Sequence, residues 1–220
     1  MNQRSLIYLL AFIVTIGSVA TNIYIPALPV VREYFDATVA QAQATFSIAL
    51  LTFAIGMLFW GPFADRYGRR LAILAGVGLM AAGSVVCLFA PSLAWLIAGR
   101  GVLAFGTATG IAVSRTIVSD LYPDSMARML AQLAIFAVVS SASAPVIGGF
   151  LTSWFGWRSV FAAQVVMAAA VAWLTWKHLP ETRPATRQPP AVREMARVAR
   201  ALLAQPRYLS CVLQSSAAYS

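Results

Sequence analysis

The sequence predicts an all-α polytopic membrane protein with six transmembrane helices and the start of a seventh. Three observations predict it. The 220 residues are 60% hydrophobic and only 10% charged, with a mean hydropathy of +0.76, a balance that belongs to the membrane class. Six apolar segments, at approximately 5–25, 43–63, 71–90, 93–114, 130–151 and 159–179, each reach the about 20 residues a helix needs to cross hydrocarbon. The basic residues fall between these segments, so the net charge of +9 reports membrane topology and not a nucleic-acid partner.

Each element has its own justification. Arg4, an apolar run and Ser18-Val19-Ala20 look like a signal peptide, but the run continues to about Tyr24, long enough to span. Tyr24-Ile25-Pro26-Ala27-Leu28-Pro29 should end the first span, because prolines do not continue a helix. Gly61 to Arg70 is a polar, basic loop between the second and third spans, and its charges hold it at a membrane face. Ala90-Pro91-Ser92 is a tight turn, and Trp154-Phe155-Gly156-Trp157-Arg158 is an aromatic turn suited to the headgroup region.

The basic residues also orient the chain. With the N-terminus cytoplasmic, only Arg32 and Arg158 of the 16 Lys and Arg residues fall outside. Arg100 lies within the membrane and the rest are cytoplasmic, the asymmetry expected of a protein in the cell inner membrane. Residues 1–179 form the six-helix bundle. Residues 180–206 form a cytoplasmic linker, broken first by prolines and then helical, with Val192, Met195, Ala199 and Leu202 on one face beside Arg193, Arg197 and Arg200. This pattern suits a helix lying on the lipid surface; a calmodulin-type target is the alternative. Residues 207–220 are apolar but too short to span, so the chain is expected to stop inside a seventh helix as a fragment.

Candidate functional residues follow from cost. A cation within hydrocarbon is a functional residue by default, and Arg100 stands about eight residues, roughly 12 Å, into the fourth span; snorkelling to the headgroups is the competing reading. Gly61 would let another helix approach. Asp65 could sit at a helix N-terminus, and Arg66, Arg69 and Arg70 could bond carboxylates or helix C-termini, with Asp120 a candidate partner. Pro145, Gly148 and Gly149 would bend the fifth span and allow close packing. Thr15, Thr109, Ser140, Ser141 and Ser143 offer dispersed cavity polarity. Cys87 and Cys211 read as small buried hydrophobes. There is no CxxC, HExxH or Gly-rich phosphate loop, so no metal or cofactor is expected. The only histidine, His178, lies at a span end, which argues against a serine-type intramembrane protease.

Several of these motifs together resemble the major facilitator superfamily. Gly61 to Arg70 is similar to its loop G-x-x-x-D-R-x-G-R-R, and Ala144-Pro145-Val146-Ile147-Gly148-Gly149 resembles its antiporter motif G-P-x-x-G-G. Tyr24 to Pro29, Asp120-Leu121-Tyr122-Pro123 and Leu179-Pro180-Glu181-Thr182 resemble the Bcr/CflA branch of drug:proton antiporters. The resemblance implies the first half of a twelve-helix exporter working by alternating access. It implies a small-molecule substrate and protons as partners besides the lipid, and a missing C-terminal six-helix half. It makes Gly61, Asp65, Arg66, Gly68, Arg69, Arg70 and Asp120 a cytoplasmic gate, Asn22, Tyr24 and Arg100 the substrate and proton pathway, and Pro145, Gly148 and Gly149 a cavity seal. Arg100 begins the pattern R-x-x-x-G-x-G/A, with Ala104 in place of the first Gly and Gly106 at the second small position. Asn22 stands where the branch carries a membrane-embedded Asp, and none of the seven acidic residues falls mid-span. The alternative reading is a truncated, non-transporting remnant of such an exporter.

Overall fold

Helix α1 (Gln3–Asn22) opens the first span, a 3-10 turn follows at Ile25–Ala27, and helix α2 (Leu28–Tyr34) completes it. The computed structural model describes residues 3–179, with side chains from Leu6 onward. The linker expected at 180–206, the seventh-helix start expected at 207–220 and Cys211 lie outside the described residues. The first span does not stop at Tyr24–Pro29, as its prolines suggested, but runs on to Tyr34. Pro26 and Pro29 each fall in the first turn of a new helical segment, where a missing N–H is no loss.

Asp36, at φ 46°, turns the chain into helix α3 (Val39–Tyr67). Thr38 and Gln41 cap that helix reciprocally: the Thr38 side chain accepts from the Gln41 N–H at 3.3 Å, and the Gln41 side chain accepts from the Thr38 N–H at 2.9 Å. The loop expected from Gly61 to Arg70 is mostly helix. Helix α3 carries on through Pro62 to Tyr67, and helix α4 (Arg69–Leu88) starts two residues later. Only Gly68, at φ 100°, breaks the helix. The last turns of α3 are held from outside: the Trp60 indole N–H donates to the Phe105 carbonyl at 2.8 Å, and Phe63 and Tyr67 pack ring to ring.

Helix α5 (Leu93–Leu121), a 3-10 turn at Pro123–Ser125, helix α6 (Met126–Phe155), which contains Pro145, and helix α7 (Arg158–His178) complete the described fold. Among the described residues, six helical spans are long and apolar enough to cross a membrane. The turn at 154–158 divides its aromatic residues: Trp154 and Phe155 are exposed, whereas Trp157 is buried against Tyr34, Phe35 and Phe161.

Helix α5 is the hub, packed chiefly on α3 and α4 and also on α1; α4 packs on α7, and α1 on α6. Glycines set the α4–α5 spacing. A Cβ at Gly83 would strike the Leu103 backbone, and one at Gly106 would strike the Gly76 carbonyl, so these backbones touch as membrane helices do at small residues. At their ends, α4 and α7 cap each other. Arg70, in the first turn of α4, donates to the Trp176 carbonyl in the last turn of α7. Arg158, the first residue of α7, donates to the carbonyl of Leu88, the last residue of α4, at 3.1 Å. Each cation sits at the unfavourable end of its own helix dipole and the favourable end of its neighbour's. Burial is uneven: 72% of the apolar window of α5 is buried, against 17% in α3 and in α6. The open faces of α3 and α6 are therefore available to lipid or to another helical bundle.

Candidate functional site

At the Gly68 corner three charges converge. Arg69 is fully buried, and its Nη2 lies 3.1 Å from Asp65 Oδ1 and 2.5 Å from Asp120 Oδ2. Asp65 closes α3, Arg69 opens α4 and Asp120 ends α5, so one guanidinium joins the ends of three helices. The sharp Gly68 turn makes this possible by bringing Asp65 and Arg69 within reach across the corner. Neutralising both carboxylates should cost about 3–5 kcal/mol, the order seen when a buried ion pair loses a partner. Arg66 is exposed, with its guanidinium 5.3 Å from the Tyr67 ring. Gly61 is not a close-approach point within this bundle, since a Cβ there would meet nothing within 4 Å among the described residues.

A second buried arginine is held differently. Arg100 is only 2% exposed, so it does not snorkel. Its Nε donates to the Thr45 carbonyl at 3.1 Å, and its guanidinium lies over the Tyr24 ring at 3.8 Å from the centroid, a cation–π geometry. Thr45 Oγ1 gives its one hydrogen to the Ala42 carbonyl at 2.6 Å, which leaves Tyr24 O–H as the donor across the 3.3 Å to Thr45 Oγ1. Arg100 Nη1 has no hydrogen-bond partner among the described residues. No carboxylate of the described residues lies within ion-pair distance of this guanidinium.

Asn22 belongs to a third place. Its amide donates to the Ser18 carbonyl at 2.9 Å and to Ser141 Oγ on α6 at 3.3 Å. This lies at the break between α1 and α2, where helix carbonyls lose their partners. Gln164 on α7, wholly buried, donates to one of them, Ala20, at 2.8 Å. Gly148 on α6 faces another, Ile23, so closely that a Cβ would collide with it, while a Cβ at Gly149 would only touch Pro26, at 4.0 Å. Pro145 lies inside the same helix beside the buried Ala144. The structure thus joins Tyr24 to Arg100, and Asn22 to Ser141, but does not gather Asn22, Tyr24 and Arg100 on one open wall; Tyr24 and Arg100 are both inside packed protein. Sequence reasoning missed Thr45 and Gln164. The usable signal was a lone Gln within an apolar run, since a polar side chain at membrane depth needs a partner.

This arrangement can be set beside known proteins. A family model described as Major Facilitator Superfamily matches residues 10–220. The chain belongs to that superfamily. With six apolar spans among the described residues, membership makes it an integral membrane protein. It is 33% identical over 181 residues to multidrug resistance protein D of Escherichia coli, covering 82% of this chain and 46% of that protein. To multidrug resistance protein MdtL of Escherichia fergusonii it is 33% identical, covering 87% and 49%. To a bicyclomycin resistance protein homolog of Haemophilus influenzae it is 28% identical, covering 83% and 47%. The chain spans about half the length of these relatives. The solved structure of the human organic anion transporter MFSD10 superposes with a TM-score of 0.73 at 19% identity, covering 89% of this chain and 53% of that one. The proton:xylose symporter XylE does so with a TM-score of 0.66 at 14% identity, covering 82% and 46%. At those identities the likeness shows the fold.

Proposed function

We propose that this chain supplies the first six-helix bundle of a secondary transporter that exports drugs or other small organic molecules by alternating access. The Gly68 corner carries the reading. Three helix ends are joined there by one buried arginine and two carboxylates, while the adjoining face of α3 stays open. A second bundle rocking against that face would make and break contacts at Gly61, Asp65, Arg66, Gly68 and Arg70, and the charged network would act as its latch. The named resistance functions of the relatives support export and a drug-like substrate. The distribution of basic residues supports a cytoplasmic N-terminus, which puts this latch on the cytoplasmic side. Asn22 does not titrate, so any proton moved during the cycle is carried by another group. Asn22 then acts as a substrate-facing group near the break in the first span, Tyr24 and Arg100 as the packed pair that positions the helices behind it, and Pro145, Gly148 and Gly149 as the packed wall beside it.

Accumulation of labelled chloramphenicol in efflux-deficient bacteria tests this. Cells expressing the protein should accumulate less than empty-vector cells, and Asp65→Asn should abolish the difference. If cells expressing the chain accumulate as much as the control, with or without a co-expressed second bundle, it does not export that drug.

A further inference from the structure

Between α1, α5 and α6 lies a cavity of about 380 Å³. Its walls are aliphatic: Val14 from α1, Ile111 from α5, and Leu130, Leu133 and Ala137 among others from α6. One lining side chain is charged, Arg115 on α5. It stands six residues before the end of α5 at Leu121, about 9 Å along the helix, so it lies on the helix and not in a cytoplasmic loop beyond the span expected at 93–114. It is exposed to the cavity, and no carboxylate of the described residues is within ion-pair distance of it. On the same helix, Asp120 is already bound to Arg69. Further along α5, Arg100 is a second cation with no carboxylate beside it.

The described spans therefore carry two arginines with no carboxylate beside them, one of them, Arg115, at a cavity, and keep their acids at the helix ends. A cation with an open hydrogen-bonding fork at the rim of an apolar cavity recognises one kind of molecule: an apolar body that fits the walls and one anionic group that reaches the guanidinium. We infer that the Val14–Arg115–Leu133 cavity binds small amphipathic anions, organic carboxylates or sulfonates, with Arg115 as the specificity-determining residue. A cationic ligand of the same shape is repelled by Arg115, and a neutral one fills the walls but leaves the guanidinium unsatisfied. The inference rests on the transport reading for the purpose of the site, as its substrate or entry subsite, but binding is measured without transport. The same anionic chemistry could come from a free solute or from a lipid headgroup entering between α1 and α6.

The test is equilibrium dialysis of the whole chain in phosphatidylcholine nanodiscs against three probes of one shape: naphthoate, naphthalenemethanol and naphthylmethylammonium. Empty nanodiscs supply the partitioning blank. Naphthoate should bind about tenfold or more tighter than the alcohol, and the ammonium more weakly than the alcohol. Arg115→Gln should bring naphthoate down to the level of the alcohol while alcohol binding persists, which also shows that the variant is folded. Arg115→Lys keeps the charge and should keep the preference for naphthoate. Leu133→Trp should fill the cavity and remove binding of all three. Adding phosphatidylglycerol distinguishes the sources: naphthoate binding that falls assigns the site to a lipid headgroup, and binding that holds assigns it to a solute. Equal affinity for the three probes, or an unchanged naphthoate preference in Arg115→Gln, overturns the inference. Such a failure leaves the chloramphenicol result standing, and failure of export leaves the binding result standing.

Discussion

Arg69 and Arg100 are both buried arginines in helices of one bundle, yet the regions around them solve opposite problems. Arg69 meets two carboxylates, from α3 and α5. Arg100 meets an aromatic face, one backbone carbonyl and no carboxylate. The first region is closed electrostatically; removing a partner leaves charge behind. The second sets its guanidinium against the face of a ring. The lesson is that burial alone does not say whether a cation is structural. An arginine neutralised on the spot stabilises contacts between helices, while one left charged creates a local field that a moving proton or ligand can answer.

The largest effect should come from breaking the first region. In Asp65→Asn/Asp120→Asn, Arg69 loses both carboxylates described around it, and stability in detergent should fall by about 3–5 kcal/mol. Thermal unfolding read by reaction of the buried Cys87 with a thiol dye, in a Cys211→Ser background, measures this. Adding Arg69→Met should recover most of the loss, because an apolar replacement of the whole group has no charge to strand. A double variant as stable as the parent would show that the corner is solvated and that the contrast with Arg100 is false.

The next effect sharpens the second region. Tyr24→Leu removes the ring beneath Arg100 and should cost about 2–3 kcal/mol by the same assay. Tyr24→Phe loses only the hydroxyl bond to Thr45 and should cost about 1 kcal/mol. If the two variants match, the hydroxyl and not the ring face holds the arginine. Smaller effects belong to the helix-end arginines. Arg70→Ala and Arg158→Ala each lose one cap between α4 and α7 and should cost about 1 kcal/mol. Arg158 has further support, since its guanidinium lies 4.3 Å from the Trp157 ring and 4.8 Å from that of Tyr34, so its loss should be the greater of the two. The smallest effect on stability is expected from Arg100→Met, within about 1 kcal/mol of the parent, since no carboxylate is stranded and a desolvated charge is relieved. That variant should nevertheless stop drug export, measured as chloramphenicol accumulation. A loss of stability as large as that of the double Asn variant would place Arg100 with Arg69 as a structural cation.

Much of the fold was legible because hydrocarbon demands long apolar helices and leaves few alternatives. The six spans, the turns at Ala90–Ser92 and at Gly156, and the burial of Cys87 follow from that demand. Local chemistry was harder to read where a residue acts differently according to its position in a helix. Pro26 and Pro29 signalled an end and proved to be two starts. The charged run after Gly61 signalled a loop and proved to be helix up to Gly68, because Asp and Arg are compatible with a helix whose end reaches solvent or ion partners.

What the sequence determined by itself is the class of protein, the number of apolar spans among residues 3–179 and which residues would be costly in a membrane. Those depend on composition and on local length, and each residue carries that information alone. Only the tertiary structure decided how each cost is met. It put two carboxylates on Arg69, a ring under Arg100, Ser141 beside Asn22, Gln164 on the freed Ala20 carbonyl and an empty-handed Arg115 in an apolar cavity. The reason is physical: the free energy of a polar group in hydrocarbon is set by its partner, and those partners stand on other helices, brought into reach only when the helices pack.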